Sequence, residues 1–566
     1  NTWTVNNLSV ASGSGNDSLI DTPTNYTATS GNNGGNYATF SPIDSHSSNT
    51  FANGNLEATN AGVAVFANLT MGFTSGKWYC EIEADGGGAG SCMVGICDLN
   101  QTHANRAYGT PGGLYMYQGT GGLYSGGLGG SFSNGTYGSA YSDGDIIGIG
   151  LDMDNGNVRF YINGSDQGQA NTSSLAGALV SPAVNNDTNS ASFKLNTGQR
   201  PFVYTPPTGH KAICTTNFAD PTIADGSTAM DVVTYSGTGS SNSITGLNFS
   251  PDLVWIKCRS TSGTDHTLAD SVRGLGTNGA YRRIFTSLTN AEQDDGYDVT
   301  SLDTGGFTLA SGGDYSNASG RTYVGWSWDG GSSTSSNSDG SITSNVRANA
   351  SAGFSIVGYT GNGTAGATVG HGLNAAPEWI VIKNRDQADA WQVYHAANTA
   401  NPETDYLSLN SSAATVDATD RWNDTAPGAS VFTLGSGAEV NTNTEEYIAY
   451  CWTPVSQYSS FGSYTGNGSN DGPFVFLGFR PRWILIKSST STQTWYIHDS
   501  ERDTYNPVAN ALRADLANST STTSNRMTFL SNGFRITRSN ADMNGSGQTF
   551  VYAAFAEHPF KTSRAR

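Results

Sequence analysis

Two short segments in the first third of the chain come close to ligand-binding motifs. Residues 72–78, Gly-Phe-Thr-Ser-Gly-Lys-Trp, have the glycines and lysine of a phosphate-binding loop. Only three residues separate the glycines where four are needed, and Trp78 replaces the hydroxyl residue that would bind Mg²⁺. Asp152, Asp154 and Gly156 begin like a calcium loop, but its twelfth position is Asn163, which cannot supply a bidentate carboxylate. Both segments favour structural turns, with weak calcium binding as the open alternative at the second, and we predict no metal site and no cofactor.

The remaining groups capable of acid–base chemistry are scattered along the chain. None of the eight histidines forms a His-x-x-x-His pair, and no Gly-x-Ser-x-Gly segment occurs. His395 and His498 lie in or beside predicted strands, where packing or hydrogen bonding is favoured over metal binding. Carboxylate pairs that cleave sugars can come from distant strands. The available acids, for which solvated or turn-capping roles are favoured, are Asp265, Asp270, Asp294, Asp295 and Asp499. We predict no catalytic residue.

The candidate ligand-binding residues are six tyrosines in a glycine-rich stretch. They are Tyr108, Tyr115, Tyr117, Tyr124, Tyr137 and Tyr141. Tyrosine offers a large contact area at a low cost in side-chain entropy, which suits recognition surfaces. Tyr115 and Tyr117 are two residues apart and would share a strand face, so core and turn packing is favoured and ligand contact is the alternative.

Composition limits the fold class and the partners. Charged residues make up 13% of the 566 residues, Gly occurs 71 times, and aromatics reach 11%. Low charge with many glycines and aromatics predicts short strands joined by tight turns. The net charge of −19 disfavours nucleic acid, which requires clustered Lys and Arg. The six cysteines show no CxxC spacing and are predicted to be small buried hydrophobes. No apolar run of 18 residues occurs, so we expect no membrane insertion.

Several apolar segments predict strands in the N-terminal part. Residues 76–81 read Gly-Lys-Trp-Tyr-Cys-Glu, 144–148 read Gly-Asp-Ile-Ile-Gly, and 151–156 read Leu-Asp-Met-Asp-Asn-Gly. Phe160-Tyr-Ile-Asn-Gly164 follows, and the Asn-Gly pair of residues 155 and 156 between two apolar runs predicts a hairpin. With the exit Arg200-Pro-Phe202, these segments resemble the SPRY domain in the family's order. The resemblance implies a bent β-sandwich whose loops bind proteins or other ligands without catalysis.

Three copies of one pattern fill the rest of the chain. Each has Tyr-[Ser/Thr]-Gly-x-Gly, at Tyr235, Tyr359 and Tyr464, followed 16 to 18 residues later by a Pro-to-Lys strand segment at 251–257, 377–383 and 481–487. Period-two alternation predicts half-buried strands. We predict an all-β chain, an SPRY-like bent β-sandwich followed by three related β-sandwich modules. The predicted segments are a lead-in at 1–60 packing on the first domain, the SPRY-like sandwich at 61–209, modules at 210–328, 353–455 and 456–566, and a flexible or extended Gly/Ser/Asn-rich linker at 329–352.

The lead-in contains Asp17-Ser-Leu-Ile-Asp-Thr-Pro-Thr24 and Asn36-Tyr-Ala-Thr-Phe-Ser-Pro42, and the last repeat ends on Ala553-Ala-Phe-Ala-Glu-His-Pro-Phe560. The lead-in resembles that of SPRY domains in bacteriophage virion proteins. The repeats and this ending resemble a module of structural and tail-fibre proteins of marine phages, especially those of cyanobacteria. The resemblance implies a virion structural protein, with a tail fibre or surface appendage for host adhesion as the leading hypothesis and the virion surface as its location. It also implies a homo-oligomer, with a trimer favoured, and contacts with other virion proteins and with a host glycan or protein. The alternatives are a capsid decoration or vertex protein, a polysaccharide depolymerase and a bacterial surface adhesin.

Overall fold

The computed structural model describes residues 36–60, 65–85, 92–99, 106, 115–125, 133–171, 174–176, 178–186, 190–522 and 527–559. The chain divides into two compact units, Asn1–Ala219 and Asp220–Arg566. In the described residues the elements are almost all antiparallel strands, which confirms the all-β prediction. The α-helices described are single turns at Thr419–Trp422, Ala438–Asn441 and Ala541–Asn544. No helix in the described part of the chain is long and apolar enough to cross a membrane.

The N-terminal unit is a sandwich of two sheets. Its strands are β1 (Asn49–Ala52), β2 (Glu57–Asn60), β3 (Phe66–Asn68), β4 (Lys77–Asp85), β5 (Cys92–Asp98), β6 (Tyr115–Gln118), β7 (Gly122–Ser125), β8 (Ser133–Thr136), β9 (Ile146–Asp152), β10 (Asn157–Ile162), β11 (Ser165–Gln169), β12 (Val180–Asn186), β13 (Ala191–Asn196) and β14 (Lys211–Ala212). One sheet has the order β1-β2-β13-β4-β9-β10-β11, with β14 beside β4, and the other β3-β12-β5-β6-β7-β8.

Two features of this unit follow directly from the sequence. The predicted Asn-Gly turn joins β9 and β10, which pair from Asp152 and Asn157 to Ile147 and Ile162, and Gly156 has a φ of +65°. The described part of the lead-in belongs to the sandwich, because β1 and β2 extend the first sheet beside β13. Residues 1–35 lie outside the described residues.

The C-terminal unit contains three modules of related topology. The first module has β15 (Met230–Ser236), β16 (Asn242–Thr245), β17 (Leu253–Cys258), β18 (Thr267–Asp270), β19 (Ile284–Phe285), β20 (Val299–Asp303), β21 (Gly306–Leu309) and β22 (Thr322–Trp328). The second has β23 (Thr334–Asn337), β24 (Ser344–Asn349), β25 (Phe354–Thr360), β26 (Ala367–Gly370), β27 (Trp379–Asn384), β28 (Gln392–His395), β29 (Asp405–Ser408), β30 (Val416–Asp417), β31 (Val431–Leu434) and β32 (Glu446–Trp452). The third has β33 (Ser459–Thr465), β34 (Phe474–Phe476), β35 (Phe479–Ser488), β36 (Tyr496–Asp499), β37 (Leu512–Arg513), β38 (Met527–Leu530), β39 (Gly533–Ile536) and β40 (Thr549–Pro559).

Each module pairs a large sheet with a small one. The large sheets share one order, which is β15-β22-β17-β18-β19 in the first module, β25-β32-β27-β28-β29 within the second and β33-β40-β35-β36-β37 in the third. The small sheets are β16-β21-β20, β26-β31 and β34-β39-β38. The strand order therefore repeats with the sequence pattern.

The central strands of the large sheets are buried on both faces, so the prediction of half-buried strands was wrong for them. In β17, Val254 and Ile256 face the core of their own module, whereas Leu253 and Trp255 face a core common to all three modules. Trp379 of β27 belongs to the same common core. A strand covered on both faces requires an almost continuous apolar run, which is what these segments contain.

The segment 329–352, for which composition predicted a flexible or extended linker, forms part of the large sheet of the second module. It contains the hairpin β23–β24, and β24 pairs with β25 from Ser344 and Tyr359 to Asn349 and Phe354. Arg347 also forms an ion pair with Asp252 of the first module, at 2.5 Å between Nε and Oδ1. Ser, Thr and Asn give little apolar signal, but backbone pairing with β25 needs none, which is why composition misled the prediction.

Candidate functional site

Three of the candidate tyrosines are buried in the core of the N-terminal sandwich. Tyr115, Tyr117 and Tyr141 are at most 2% exposed. The Tyr141 hydroxyl donates to the Tyr117 carbonyl at 2.8 Å, and the Tyr117 hydroxyl donates to the Ser139 carbonyl. Burial raises the pKa of both phenols above its ordinary value. Their burial supports core packing, the interpretation that the sequence favoured over ligand contact.

The remaining candidate tyrosines lie nearer the surface. Tyr124 on β7 is half-buried, as is Tyr137 after β8. The Tyr137 hydroxyl donates to the Gly168 carbonyl, and its ring packs edge-on against Tyr117 with centroids 5.1 Å apart. This contact joins the edges of the two sheets at β8 and β11. Tyr108 lies outside the described residues. The predicted cluster is thus divided between the core and one partly exposed edge.

The two near-motifs are turns stabilised by internal bonds. The Lys77 ammonium pairs with Asp152 at 2.7 Å, and Asp154 accepts the Gly76 N–H at 2.6 Å. Asp152 also accepts the Asn155 N–H, a hydrogen bond within the turn of the hairpin. Among the described residues, no group of three His, Cys, Asp or Glu side chains is placed to bind a metal ion. All six cysteines are buried, as predicted for small hydrophobes.

Glu81 has a role that the sequence interpretation missed. Its carboxylate is buried and accepts the N–H groups of Val203 and Tyr204 at 2.9 and 2.8 Å. It also accepts the Asn196 amide at 3.2 Å. The acid of the Gly-Lys-Trp-Tyr-x-Glu segment therefore fixes the chain that follows Arg200-Pro-Phe202. The presence of both the Gly-Lys-Trp-Tyr-x-Glu segment and the Arg-Pro-Phe segment in the chain was the sequence signal that could have predicted this contact.

The five candidate acids of the C-terminal unit are already bonded within the protein. Asp270 and Asp499 are fully buried and each pairs with the arginine three residues later, Arg273 at 2.5 Å and Arg502 at 2.6 Å. Separately, Asp265 accepts the Ser287 hydroxyl, Asp294 accepts the Thr277 N–H and hydroxyl, and Asp295 pairs with Arg283. Each of these five carboxylates therefore has a different partner side chain within the protein.

The three modules are joined cyclically by one repeated hydrogen bond. The indole N–H of Trp391 donates to the Phe285 carbonyl, from the second module to the first, at 2.8 Å. That of Trp495 donates to the Ser408 carbonyl, from the third to the second, at 2.9 Å. In the first module His266 occupies the equivalent position, and its Nε2 bonds to the Arg513 carbonyl of the third at 2.8 Å. Each module therefore contacts the two others.

A second set of bonds connects the modules in the same cyclic manner. The Tyr450 hydroxyl of the second module donates to Asp270 of the first at 2.7 Å. The Trp326 indole of the first donates to Asp499 of the third at 3.0 Å. His395 of the second occupies the position of these aspartates, and its Nε2 bonds to the Tyr552 carbonyl of the third at 3.0 Å. Asp270, Asp499 and His395, three of the groups singled out for possible chemistry, are thus used in module assembly.

Aromatic side chains fill the centre between the modules. Trp379 stacks on Trp452 with centroids 4.1 Å apart, and Trp483 packs edge-on against Trp328 at 5.5 Å. Trp255 of the first module contacts Trp483 at 6.4 Å. Aromatic pairs in such geometries add roughly 0.5–1.5 kcal/mol each beyond burial. The three large sheets therefore share a single aromatic core.

The lysine that ends each repeated strand is buried without a carboxylate partner. Lys257, Lys383 and Lys487 donate to backbone carbonyls, and burial lowers the pKa of each ammonium to about 8. Lys487 also donates to the Ser412 carbonyl of the second module at 3.2 Å, whereas Lys383 donates to the Asn384 and Gln387 carbonyls of its own module. These lysines fix the loops at which the modules meet.

A buried asparagine binds the Gly-x-Gly loop in every module, and the sequence interpretation missed it. The three are Asn317, Asn441 and Asn544. Asn441 accepts the Asn362 N–H and donates to the Thr364 and Gly435 carbonyls at 2.9 to 3.0 Å, and the other two repeat this pattern. The tyrosine before the loop donates to the carbonyl preceding the asparagine, as Tyr359 does to Val440 at 2.8 Å.

Both glycines of this loop are required by its geometry. A Cβ on the first would lie 2.2 Å from a backbone oxygen at Gly237 and Gly361, and 2.3 Å at Gly466. The second has a positive φ, for example +69° at Gly363. The Tyr-[Ser/Thr]-Gly-x-Gly pattern is therefore a folding requirement, and its asparagine partner about 80 residues later could have been found by aligning the three repeats.

Comparison with known proteins assigns a family to each unit. The SPRY domain model matches residues 77–200, which establishes an SPRY domain in the N-terminal unit. The SPRY domain of human HERC1 is 21% identical over 28% of this chain and 96% of that one, with a TM-score of 0.23. The TRIM65 PSpry domain is 14% identical over 28% and 92%, also with a TM-score of 0.23. No curated protein matches the sequence. The model described as "Domain of unknown function (DUF7483)" matches residues 225–559, more than half of the chain, and the protein therefore belongs to the DUF7483 family.

Proposed function

We propose that this protein is a structural, non-enzymatic component of a bacteriophage virion, most specifically a tail fibre or comparable surface appendage that adheres to the host cell. In this proposal the SPRY domain supplies the recognition surface and the DUF7483 unit supplies a rigid body at the virion surface. The phage assignment rests on the resemblance of the lead-in and the repeats to virion proteins.

The observation that carries the non-enzymatic part of the proposal is the use of acids and histidines between modules. Asp270, Asp499, His266 and His395 are buried, and each bonds to another module. Groups enclosed in this way position neighbouring sheets and have no access to a polymeric substrate. A body closed by three mutual contacts suits a part that must resist mechanical load.

Adhesion by such a protein depends on many weak contacts. Presenting several copies raises the effective concentration of each binding site, so that overall avidity exceeds the affinity of one copy. The proposed assembly is a homo-oligomer, a trimer by resemblance to tail fibres, in contact with other virion proteins. The proposed host partner is a surface glycan or protein.

Immunogold electron microscopy of particles of the encoding phage tests the proposal. Antibodies raised against the purified full chain should label appendages. Label over the capsid shell would support a decoration or vertex protein instead, and unlabelled particles would contradict a virion role. Sedimentation equilibrium of the purified chain should give three times the 59.2 kDa chain mass. Release of reducing ends from host polysaccharide by the protein would favour a depolymerase and contradict the non-enzymatic assignment.

A further inference from the structure

His266 is bonded at an interface between modules in a way that only its neutral ring allows. The Trp255 indole N–H donates to Nδ1 at 2.9 Å, so Nδ1 must be an unprotonated acceptor. Nε2 then carries the proton and donates to the Arg513 carbonyl of the third module at 2.8 Å. The ring is fully buried and stacks near Trp326, with centroids 6.2 Å apart. A proton added to Nδ1 would point directly at the indole N–H.

His395 makes the same pattern of hydrogen bonds at the interface between the second and third modules. The Ala397 N–H donates to Nδ1 at 3.1 Å, and Nε2 bonds to the Tyr552 carbonyl at 3.0 Å. The ring is 2% exposed. Protonation of Nδ1 would again place two donors face to face and would add an unpaired charge to a buried site, which costs several kcal/mol.

The groups around both rings oppose a positive charge. Lys257 and Arg502, both cations, are the charged side chains that act on His266, and the other partners are main-chain groups of Arg513 and Leu516. Besides burial, the Tyr552 carbonyl is the group that acts on the His395 ring. Burial raises the pKa of the nearby Glu378 and Tyr552, which favours their neutral forms. Asp405 lies on the neighbouring strand β29, where it accepts the Thr399 hydroxyl.

Burial sets the direction of the pH effect. It lowers the pKa of His395 to about 4 and that of His266 well below 6.5. The unfolded chain therefore binds more protons than the folded chain between about pH 4 and 6.5. Stability is fully present above pH 6.5 and is lost as the pH falls through this window.

One further ring in the third module responds in the same direction. His498 is completely buried, neither ring nitrogen has a hydrogen-bond partner, and burial with Arg502 nearby lowers its pKa to about 3. Because Asp499 pairs with Arg502, it does not offer His498 a direct partner.

We propose that the DUF7483 unit contains an acid-sensitive clasp, in which protonation of His266 and His395 weakens the contacts of the third module with the other two. Both histidines bond to carbonyls of the third module, on β37 and β40, so acid acts on both of its interfaces at once. The connection through Pro454 to Gln457 keeps the loosened module attached to the second. The clasp does not depend on the proposed virion role.

Hydrogen exchange of the full chain at pH 7.5 and pH 5.0, with exchange times corrected for the intrinsic pH dependence, tests the clasp. We expect protection of the β37 and β40 peptides to fall about tenfold or more at pH 5.0, while the hairpin β9–β10 of the SPRY domain stays protected. The double variant His266→Gln, His395→Gln should lose most of this pH dependence, because glutamine can donate to the same carbonyls without titrating. The quantity compared is the ratio between the two pH values, so a uniform loss of stability does not affect it.

His371→Gln is the matched control. His371 is also hydrogen-bonded as a neutral ring, because Nδ1 accepts the Leu373 N–H and Nε2 bonds to the Gly428 carbonyl. Both of these partners lie in the second module, which is its own. It should leave the pH response of β37 and β40 unchanged. Equal protection of β37 and β40 in the wild-type protein at both pH values would overturn the proposal, as would a double variant that responds to acid like the wild type. The wild-type comparison decides the first point even if the double variant fails to fold.

Discussion

The two units bury similar side chains for different purposes. In the N-terminal sandwich, Tyr117, Tyr141 and Phe160 pack together inside one pair of sheets, and the tyrosine hydroxyls bond to the main chain of the same sandwich. In the C-terminal unit, Trp391 and Trp495 extend from one module and donate to the main chain of another. Large aromatic side chains with one polar group thus stabilise a single domain in the N-terminal unit. In the C-terminal unit they fix how the three modules pack together.

The three modules of the C-terminal unit are therefore not independent domains. Each has its own small-sheet core, but the outer face of each large sheet is apolar and would be exposed in isolation. A module separated from its neighbours would also leave buried donors or acceptors without partners. We therefore expect the C-terminal unit to unfold cooperatively, separately from the SPRY domain.

The largest expected effect comes from Trp379→Ala, at the common centre. Removing this fully packed indole should lower the free energy of unfolding of the C-terminal unit by about 4 kcal/mol. All three modules should lose stability in a single urea transition. Hydrogen exchange of peptides from each module measures whether all three are affected. The matched variant Phe160→Ala, buried in the N-terminal core, should shift only the SPRY transition. Loss of protection in the second module alone after Trp379→Ala would contradict a shared core.

Breaking a buried ion pair should have the next largest effect. Asp499→Ala leaves the Arg502 charge and the Trp326 indole without their acceptor, which should cost about 3 kcal/mol. Asp166→Ala breaks an exposed pair with Arg159 in the SPRY domain, of similar length at 2.8 Å, and should cost less than about 1 kcal/mol. Urea unfolding of both variants measures the contrast. Similar losses would mean that the two environments do not differ as the burial of these pairs implies.

Asn544→Ala tests the loop contact that repeats in the modules. It removes the acceptor of the Asn467 N–H and leaves the Ser469 and Arg538 carbonyls without this donor. We expect a loss of about 2 kcal/mol, since the bonds are buried. Hydrogen exchange should locate the first loss of protection in residues 466–470. An unchanged urea midpoint would show that the loop folds without its asparagine.

The smallest effect of any single residue should appear in the alkaline pH range. Burial lowers the pKa of Lys257, Lys383 and Lys487 to about 8, so between pH 8 and 10.5 the folded chain binds fewer protons than the unfolded chain. Stability of the C-terminal unit should therefore rise with pH across this window, by about 1 kcal/mol per lysine between pH 7.5 and 9.5. Urea midpoints at the two pH values measure it.

Variants can separate the contributions of these lysines. Lys487→Met should remove its share of the rise and also loosen the contact with Ser412, whereas Lys383→Met should remove only the pH response. Lys194 of the SPRY domain pairs with Glu83 at the surface, and Lys194→Met should leave the rise unchanged. A midpoint that falls between pH 7.5 and 9.5 would contradict the prediction.

The sequence predicted the class and order of the elements more accurately than their mutual placement. The apolar runs, the Asn-Gly turn and the glycine pairs are local signals, and the strands they predicted are present. These local patterns do not reveal whether Trp255 or Trp379 faces its own module or another one. The sequence of a strand that is buried on both faces is apolar throughout, whichever element covers each face. The hairpin at 329–352 was missed because its polar residues contribute through the backbone.

The candidate site was predicted less well, for a related reason. Tyrosine suits both a binding surface and a core, and the choice for Tyr117 and Tyr141 depends on distant main-chain acceptors such as the Cys92 and Ser139 carbonyls. The roles of His266 and His395 likewise depend on carbonyls 247 and 157 residues away. Contacts of that range leave no local pattern to detect.

The 3-10 turn at Gly226–Thr228 lies against β40, so close that a Cβ on Gly226 would stand 2.1 Å from the Ala556 carbonyl oxygen. The first and last elements of the DUF7483 unit are therefore neighbours, much as its other modules are neighbours of each other. Such a unit can be circularly permuted: a short peptide can join its two ends, and new termini can be opened between Trp452 and Tyr458, with every intermodule bond retained. Evolution or an engineer could thus insert this body into a host protein at more than one point of its circumference.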